Sequence, residues 1–192
     1  MPLDLTINQK NAKTVGASFD RIAEELINHS QLNLQGILYT FTEIEFYYFD
    51  KATHPDKYTH KHSYNSGKWR FHLQGLDISL GYITEEDNFV SYGGILIRGL
   101  KSGKYYINGP KRILALLFEK FGDVEIPHKE FGIVPSKNNK VTIYKSFRKG
   151  LSERYPEFNQ LAYRYYHSIE LWNELHVSLS EKKGIVKSSV RL

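Results

Sequence analysis

Two glutamates stand two positions apart in a segment whose composition is typical of a β-strand. Glu43 and Glu45 lie in GILYTFTEIEFYYF (36–49), which is rich in aromatic and β-branched residues. Because side chains alternate along a strand, both carboxyl groups should point to one face, followed there by Tyr47. A half-exposed strand produces this alternation without any chemistry. Alternatively, a carboxyl group in such a partly apolar site can have a raised pKa and act as a general base.

Four of the 8 histidines fall between positions 54 and 72, beginning in the polar segment that follows this strand. Residues 50–67 are interrupted by proline and glycine and predict a long loop, and such loops are often functional. The histidines are His54, His60, His62 and His72. The first three could form a metal site with Glu45 or Asp56, although their spacing matches no zinc motif. Solvated or hydrogen-bonding loop histidines are the commoner alternative.

Arg98 interrupts an apolar run, GGILIRGL (93–100), that otherwise predicts a buried strand. A buried guanidinium group needs a carboxylate, carbonyl or phosphate partner, because an unpaired buried charge is costly. An ion pair with Glu43, Glu45 or Asp77 would stabilise the core. The same geometry at the floor of a pocket would serve a function, and the sequence favours neither interpretation.

Basic residues form two clusters in a chain with 26 Lys and Arg against 21 Asp and Glu. This modest excess is compatible with a nucleic-acid partner. One cluster surrounds Gly109-Pro110, where a helix N-terminus would offer free N–H groups to phosphate. Basic surface loops without a ligand are the alternative interpretation. The clusters are Lys101, Lys104, Lys111 and Arg112, and Lys145, Arg148 and Lys149.

The elements that must position these residues indicate a single α+β domain over 1–192, with 1–14 and 181–192 flexible. Cysteine is absent, and neither a signal peptide nor an apolar run of membrane-spanning length is visible, so we expect a cytoplasmic monomer without a membrane partner. Helices are predicted at 17–28, with Ser18 as N-cap, and at 110–121, with Pro110 first and Gly122 just beyond. Strands are predicted at 36–49, 68–73, 78–83, 93–100 and 141–144, whereas 156–175 fits helix and strand equally.

Taken in order, these segments resemble the alkyladenine (3-methyladenine) DNA glycosylase family over roughly residues 15–170. The family's motifs E-T-E-A-Y, D-x-A-x-H, L-L-R-A-L and G-P-G-K-L resemble Thr42–Tyr47, the segment ending at His54, residues 96–100 and the Gly109-Pro110 helix start. Residues 148–151 and 163–166 resemble its R-x-G-[IL] and W-R-F-Y segments. Each motif is short, so it is their order that carries the resemblance.

The resemblance implies a curved antiparallel sheet with flanking helices, and hydrolysis of the N-glycosylic bond of a flipped-out damaged purine in DNA. Glu45 would activate water as the general base, and Arg98 would support the pocket. Tyr47 would stack on the extruded base, with His54 on its other side. Asp77 would replace the asparagine that checks the shape of the base.

Two of the family's features are missing from this chain. The tyrosine that fills the gap left by the flipped base has no match, so Gln74 or Leu76 would have to serve, and the family's R-G-x-T-x-R-N run is replaced by 58–62. Without a candidate lysine nucleophile, we expect a monofunctional glycosylase that needs neither metal nor cofactor. The residues expected to bind DNA phosphates, without sequence preference, are Lys104, Lys111, Arg112, Arg148 and Lys149.

Two other functions stay open from the sequence. One is a catalytically silent relative that binds DNA without turnover. The other is a metal-dependent hydrolase that uses His54, His60, His62 and Glu45.

Overall fold

An antiparallel sheet that curls into a half-barrel dominates the computed structural model, which describes residues 3–83, 90–122, 130–137 and 140–167. A few helices accompany the sheet, so the predicted mixed α+β single domain is confirmed. The described elements are α1 (Ala12–His29), β1 (Ser30–Leu34), β2 (Ile37–Asp50), β3 (His54–Pro55), β4 (Trp69–His72), β5 (Gly75–Ile83), β6 (Val90–Ser102), β7 (Tyr105–Asn108), α2 (Pro110–Phe121), β8 (Phe131–Pro135), β9 (Ile143–Ser146), α3 (Pro156–Asn159) and β10 (Arg164–His167).

Two long strands, β2 and β6, form the centre of the sheet and pair with each other over most of their lengths. The main path of neighbouring strands runs β4-β5-β6-β2-β1-β8. Along its other edge, β2 pairs first with β1, up to Thr40, and then with β10, from Glu43 to Glu45. Its register against β6 shifts on both sides of Glu43, which marks a β-bulge. The chemically interesting part of β2 is therefore flanked by β6 on one side and by β10 on the other.

Helix α1 begins earlier than its apolar pattern predicts, and the predicted N-cap Ser18 is wrong. Asn11 is the N-cap: its side chain accepts a hydrogen bond from the Thr14 backbone N–H, and the Thr14 hydroxyl accepts one from the Asn11 N–H, both at 3.1 Å. This reciprocal capping box satisfies two backbone donors of the first turn. Ser18 lies inside the helix, where its hydroxyl donates to the Thr14 carbonyl.

The core forms where α1 packs on the sheet. The rings of Phe19 from α1 and Phe46 from β2 stack at 4.5 Å between centroids, and Tyr165 from β10 meets Phe46 edge-on at 5.3 Å. All three side chains are fully buried. Residues 1–14 were expected to be flexible; in the described part of this segment, apolar side chains between positions 3 and 7 pack against the core. The expected flexible end at 181–192 lies outside the described residues.

Helix α2 matches its prediction at both ends. Pro110 is its first residue, and Gly122 ends it with a φ of 53° while its N–H donates to the Phe118 carbonyl. Close packing of Pro110 against Gly75, which begins β5, brings the start of α2 beside the β4–β5 hairpin. Pro110 and several residues of the hairpin line one cleft of the molecule.

The remaining elements differ in detail from expectation. Strand β9 begins two residues later than predicted, and the ambiguous 156–175 segment contains the short α3 and then β10, while 168–175 lies outside the described residues. The predicted loop at 50–67 contains the two-residue strand β3. Within the described ranges, no helix is both long and apolar enough to cross a membrane.

Candidate functional site

Two glutamates and two arginines from three neighbouring strands form a compact charge cluster. Arg98 of β6 contacts both carboxylates, with Nε 2.9 Å from Glu43 Oε1 and Nη1 3.2 Å from Glu45 Oε2. Arg164 of β10 donates from Nε to Glu43 Oε1 at 2.7 Å. Because β2 lies between β6 and β10, each arginine reaches the glutamates from its own side. The ion pair proposed for Arg98 exists, and its partners are Glu43 and Glu45.

Glu43 is the strongly stabilised carboxylate of the pair. Burial alone would raise the pKa of Glu43, but it is opposed by Arg164, which is both close and hydrogen-bonded. Together with the charges of Lys149 and Arg98, Arg164 lowers the pKa of Glu43 to about 2. Glu43 is therefore ionised throughout the physiological range and acts as the fixed counter-charge of the two arginines.

The pKa of Glu45 shifts in the opposite direction: the side chain is fully buried, and its pKa is raised. Burial is the main cause; the Arg98 charge and hydrogen bonds from Lys149 and Tyr47 oppose it. Its Oε1 accepts from the Lys149 backbone N–H at 2.8 Å, and its Oε2 accepts from the Tyr47 hydroxyl at 2.8 Å. A buried carboxylate whose pKa is raised towards neutrality is the kind of group that serves as a general base.

A cleft of about 530 Å³ lies directly against this cluster. Tyr47, Arg98 and Lys149, which donate hydrogen bonds to the Glu45 carboxylate, all line it. Glu45 itself lies behind this lining. The β4–β5 hairpin contributes the lining residues Arg70, His72, Gln74 and Asp77, and the loop after β3 contributes Tyr58, Thr59 and His60. The volume falls within the range of about 300–1,000 Å³ found for small-molecule pockets.

The ring of Tyr47 packs against a cationic side chain. The Arg148 guanidinium lies 4.7 Å from the ring centroid, in cation–π geometry. Burial raises the pKa of the Tyr47 hydroxyl well above its ordinary value, and the neighbouring Glu45 charge adds to this effect. The hydroxyl therefore remains protonated and acts as a donor to Glu45.

His54 lies in the core and does not line the cleft, so the structure does not place it across a bound base from Tyr47. Its Nδ1 lies 2.8 Å from the Tyr48 carbonyl and its Nε2 lies 3.0 Å from the Tyr163 hydroxyl. A carbonyl only accepts, so Nδ1 carries the proton, and burial lowers the pKa of His54. Of the histidines in the loop, His60 is the one that lines the cleft.

The histidines do not converge on a metal site. His62 uses both ring nitrogens on the backbone: Nε2 lies 2.6 Å from the Gly93 carbonyl, and Nδ1 accepts from the Tyr64 N–H at 3.1 Å. In the part of the chain that the structure describes, no group of three His, Cys, Asp or Glu side chains is arranged to hold a metal ion. The metal-dependent hydrolase considered from the sequence therefore has no ligand set in these residues.

The tip of the β4–β5 hairpin presents a different residue from those expected. Leu76 is fully buried, so it cannot project towards a partner, whereas Gln74 lines the cleft. Leu73 is 89% exposed and forms the two-residue turn together with Gln74, because β4 ends at His72 and β5 begins at Gly75. The sequence missed this position because the predicted strand at 68–73 includes Leu73, whereas β4 ends one residue earlier, at His72.

The expected phosphate-binding residues separate into three environments. Lys111 and Arg112 are exposed in the first turn of α2, and Lys104 is exposed in the turn between β6 and β7. Arg148 is buried, with Nη1 2.6 Å from Asp56 Oδ2 and further hydrogen bonds to backbone carbonyls, so it is not placed to bind phosphate. Lys149 lines the cleft, and burial lowers its pKa from 10.5 to about 8.

Comparison with known proteins adds one relative and no function. The chain is 28% identical over 188 residues to the uncharacterized protein L759 of Acanthamoeba polyphaga mimivirus, an alignment that covers 77% of this chain and 84% of that protein. No family model matches the chain. No solved structure matches it either. The functional interpretation therefore depends on the residues of the site.

Proposed function

We propose that this protein is a DNA glycosylase with a 3-methyladenine DNA glycosylase-like fold, which hydrolyses the N-glycosylic bond of a flipped-out damaged purine. The observation that carries the proposal is the environment of Glu45: a fully buried carboxylate with a raised pKa, contacted by three residues that line a cleft. The order of motifs along the chain supports the same reaction, because Glu45, Tyr47 and Arg98 occupy corresponding places in the family's motifs.

In the proposed reaction, the bond between C1′ of the sugar and the purine nitrogen breaks, and its electron pair leaves with the base. The sugar passes through an oxocarbenium-like state whose positive charge the Glu45 carboxylate stabilises. Water then adds to C1′, and its proton passes to Glu45 as general base and from there, through solvent, to the purine nitrogen that left with the electron pair. Arg98 holds the carboxylate in place from the β6 side. No step requires a metal ion or an organic cofactor.

Access to Glu45 depends on Tyr47. The same residue lines the cleft and donates its hydroxyl hydrogen bond to Glu45 Oε2. We propose that a base stacked on the Tyr47 ring shifts this hydroxyl, and that the attacking water takes its place beside Oε2. Tyr47 would then restrict the general base to the substrate-bound state.

The proposed DNA contacts surround the cleft. A base in a duplex cannot be reached until it is flipped, and an apolar wedge can fill the space that it leaves. Leu73 at the exposed tip of the hairpin is our choice for this wedge, in place of Gln74 or Leu76. Lys111 and Arg112 at the start of α2 and Lys104 in the β6–β7 turn would bind phosphates and make the affinity depend on salt.

A second candidate is a DNA-binding relative without turnover. Both oxygens of Glu45 already accept hydrogen bonds, and Glu45 lies behind the lining of the cleft. A carboxylate held permanently in this way would stabilise the cleft without reaching a water molecule. Excision and binding must therefore be measured side by side.

The test is excision from short duplexes that carry hypoxanthine, 1,N6-ethenoadenine or a 7-alkylated purine, with abasic sites cleaved afterwards by alkali. We expect excision by the wild type, loss of at least about a hundredfold in Glu45→Gln, and retained excision in Tyr47→Phe, which lacks the shielding hydroxyl. Salt-sensitive binding of all three duplexes without any strand breaks would favour the silent relative. Excision that survives Glu45→Gln would overturn the assigned mechanism.

A further inference from the structure

One wall of the cleft contains a carboxylate oxygen without a partner. The Asp77 side chain is 10% exposed and lines the cleft. Its Oδ2 lies 3.4 Å from Arg70 Nη1 and 3.0 Å from His72 Nε2, although the histidine is not aligned for a hydrogen bond. Its Oδ1 is buried and has no hydrogen-bond partner among the described residues.

The position of this carboxylate is fixed by the neighbouring strand. Asp77 on β5 lies beside β6, where Gly94 also lines the cleft. A Cβ at Gly94 would stand only 2.9 Å from Asp77 Oδ2, so the absence of a side chain there makes room for the carboxylate. Arg70 on β4 is paired directly with Asp77 on β5 in the register of the hairpin. The carboxylate is thus held between β4 and β6.

A buried acceptor without a donor is costly, and more so when it carries a charge. Asp77 Oδ1 therefore calls for an N–H or O–H donor from whatever occupies the cleft. The Arg70 and His72 side chains beside it carry N–H groups that can donate to a ligand. A ligand that fits this wall would therefore have an acceptor next to the donor that reaches Asp77 Oδ1. The wall as a whole complements an edge on which an N–H group and a carbonyl oxygen stand side by side.

We propose that Asp77 makes the enzyme selective for purines that present an N–H donor at this wall. This inference rests on the proposed function and specifies its substrate class. Hypoxanthine fits, because its N1–H donor stands next to the C6 carbonyl. 1,N6-Ethenoadenine does not, because the etheno bridge joins N1 to N6, so that neither nitrogen carries a hydrogen, and Asp77 Oδ1 stays unpaired.

The experiment compares single-turnover excision of hypoxanthine and 1,N6-ethenoadenine from duplexes of identical sequence. Since a site that hydrogen-bonds its substrate discriminates strongly against an analogue lacking the donor, we expect at least about a tenfold preference for hypoxanthine in the wild type. Asp77→Asn can turn an amide N–H towards the base and should reduce the ratio to about threefold or less. Asp4→Asn removes the same charge from an exposed ion pair and should leave the ratio unchanged.

Binding of both duplexes, measured by fluorescence anisotropy, tests the selectivity separately from the proposed catalysis. Tighter binding of the hypoxanthine duplex, lost in Asp77→Asn, would support the selectivity even when no base is excised and the proposed catalysis fails. Equal excision or equal binding of the two duplexes by the wild type would overturn the selectivity while leaving a glycosylase intact. The wild-type ratio needs no variant, so the inference stays testable when Asp77→Asn does not fold.

Discussion

Replacing Glu43 with glutamine should destabilise the fold far more than the same change at Glu45. The two residues are two positions apart on one strand, and both contact Arg98. The pKa of Glu43 is lowered from 4.5 to about 2, so its ionised form stabilises the folded state. The pKa of Glu45 is raised, so burial of its ionised form acts against folding.

The magnitude for Glu43 follows from its pKa. A fall from 4.5 to about 2 corresponds to about 3 kcal/mol at neutral pH, at 1.36 kcal/mol for each tenfold change. The side chain is 15% exposed, so solvent screening reduces this value only slightly. Glu43→Gln also leaves Arg164 without its carboxylate, which acts in the same direction.

The measurement is urea denaturation of both variants at several pH values between 7 and 2.5, with circular dichroism as the signal for unfolding. Because the folded-state pKa of Glu43 is depressed, its contribution is complete above pH 4.5 and is lost as pH falls towards 2. The deficit of Glu43→Gln should therefore be about 3 kcal/mol at pH 7 and shrink in acid. Glu45→Gln should lose less than Glu43→Gln at pH 7. Equal losses in the two variants would refute the assignment of opposite roles to the two carboxylates.

Three further predictions follow from the surroundings of the cleft. Leu73→Ala should lower excision from duplex DNA about tenfold, leaving the urea midpoint unchanged because the side chain is 89% exposed; an equal loss on single-stranded substrate would contradict its role as a wedge. Arg148→Met should lower the free energy of unfolding by about 3–5 kcal/mol, because it leaves Asp56 buried without its ion-pair partner. Combining it with Asp56→Asn should lower the free energy of unfolding by less than the sum of the two single changes. Additive decreases would argue against the ion pair. Duplex affinity should fall as pH rises through about 8, where Lys149 loses its charge, and anisotropy should show no such fall in Lys149→Arg; the same fall in that variant would assign it to another group.

Local signals in the sequence predicted the elements that depend on them. Helix α2 was predicted at both ends because Pro110 and Gly122 act on their own backbone. The start of α1 was missed because the helix extends beyond its buried stripe to the capping box at Asn11. Strand β10 was ambiguous because its identity comes from pairing with β2 and β9, which lie far away in sequence.

The candidate site was predictable to the extent that residue type restricts burial. Arg98 in an apolar run demanded a carboxylate, and the structure supplies Glu43 and Glu45. Arg148 was misplaced on the surface because a basic cluster in the sequence does not show which of its members meets a buried aspartate. The hydrogen bond from the Lys149 backbone N–H to Glu45 has no sequence signal, because every residue except proline carries that donor.

The pairing of β10 with β2 has a consequence for how the molecule is assembled during synthesis. Glu43 and Glu45 leave the ribosome long before Arg164, so Arg98 is the first of their two arginine ion-pair partners to be synthesised. Until β10 docks, both carboxylates share this one arginine in an increasingly apolar environment. Docking of β10 supplies the second arginine, so the strand that completes this part of the sheet also completes the ion pairs of the site. A nascent chain that ends before residue 164 would contain the β4–β5 hairpin and both glutamates. Without Arg164 it could not complete the charge cluster.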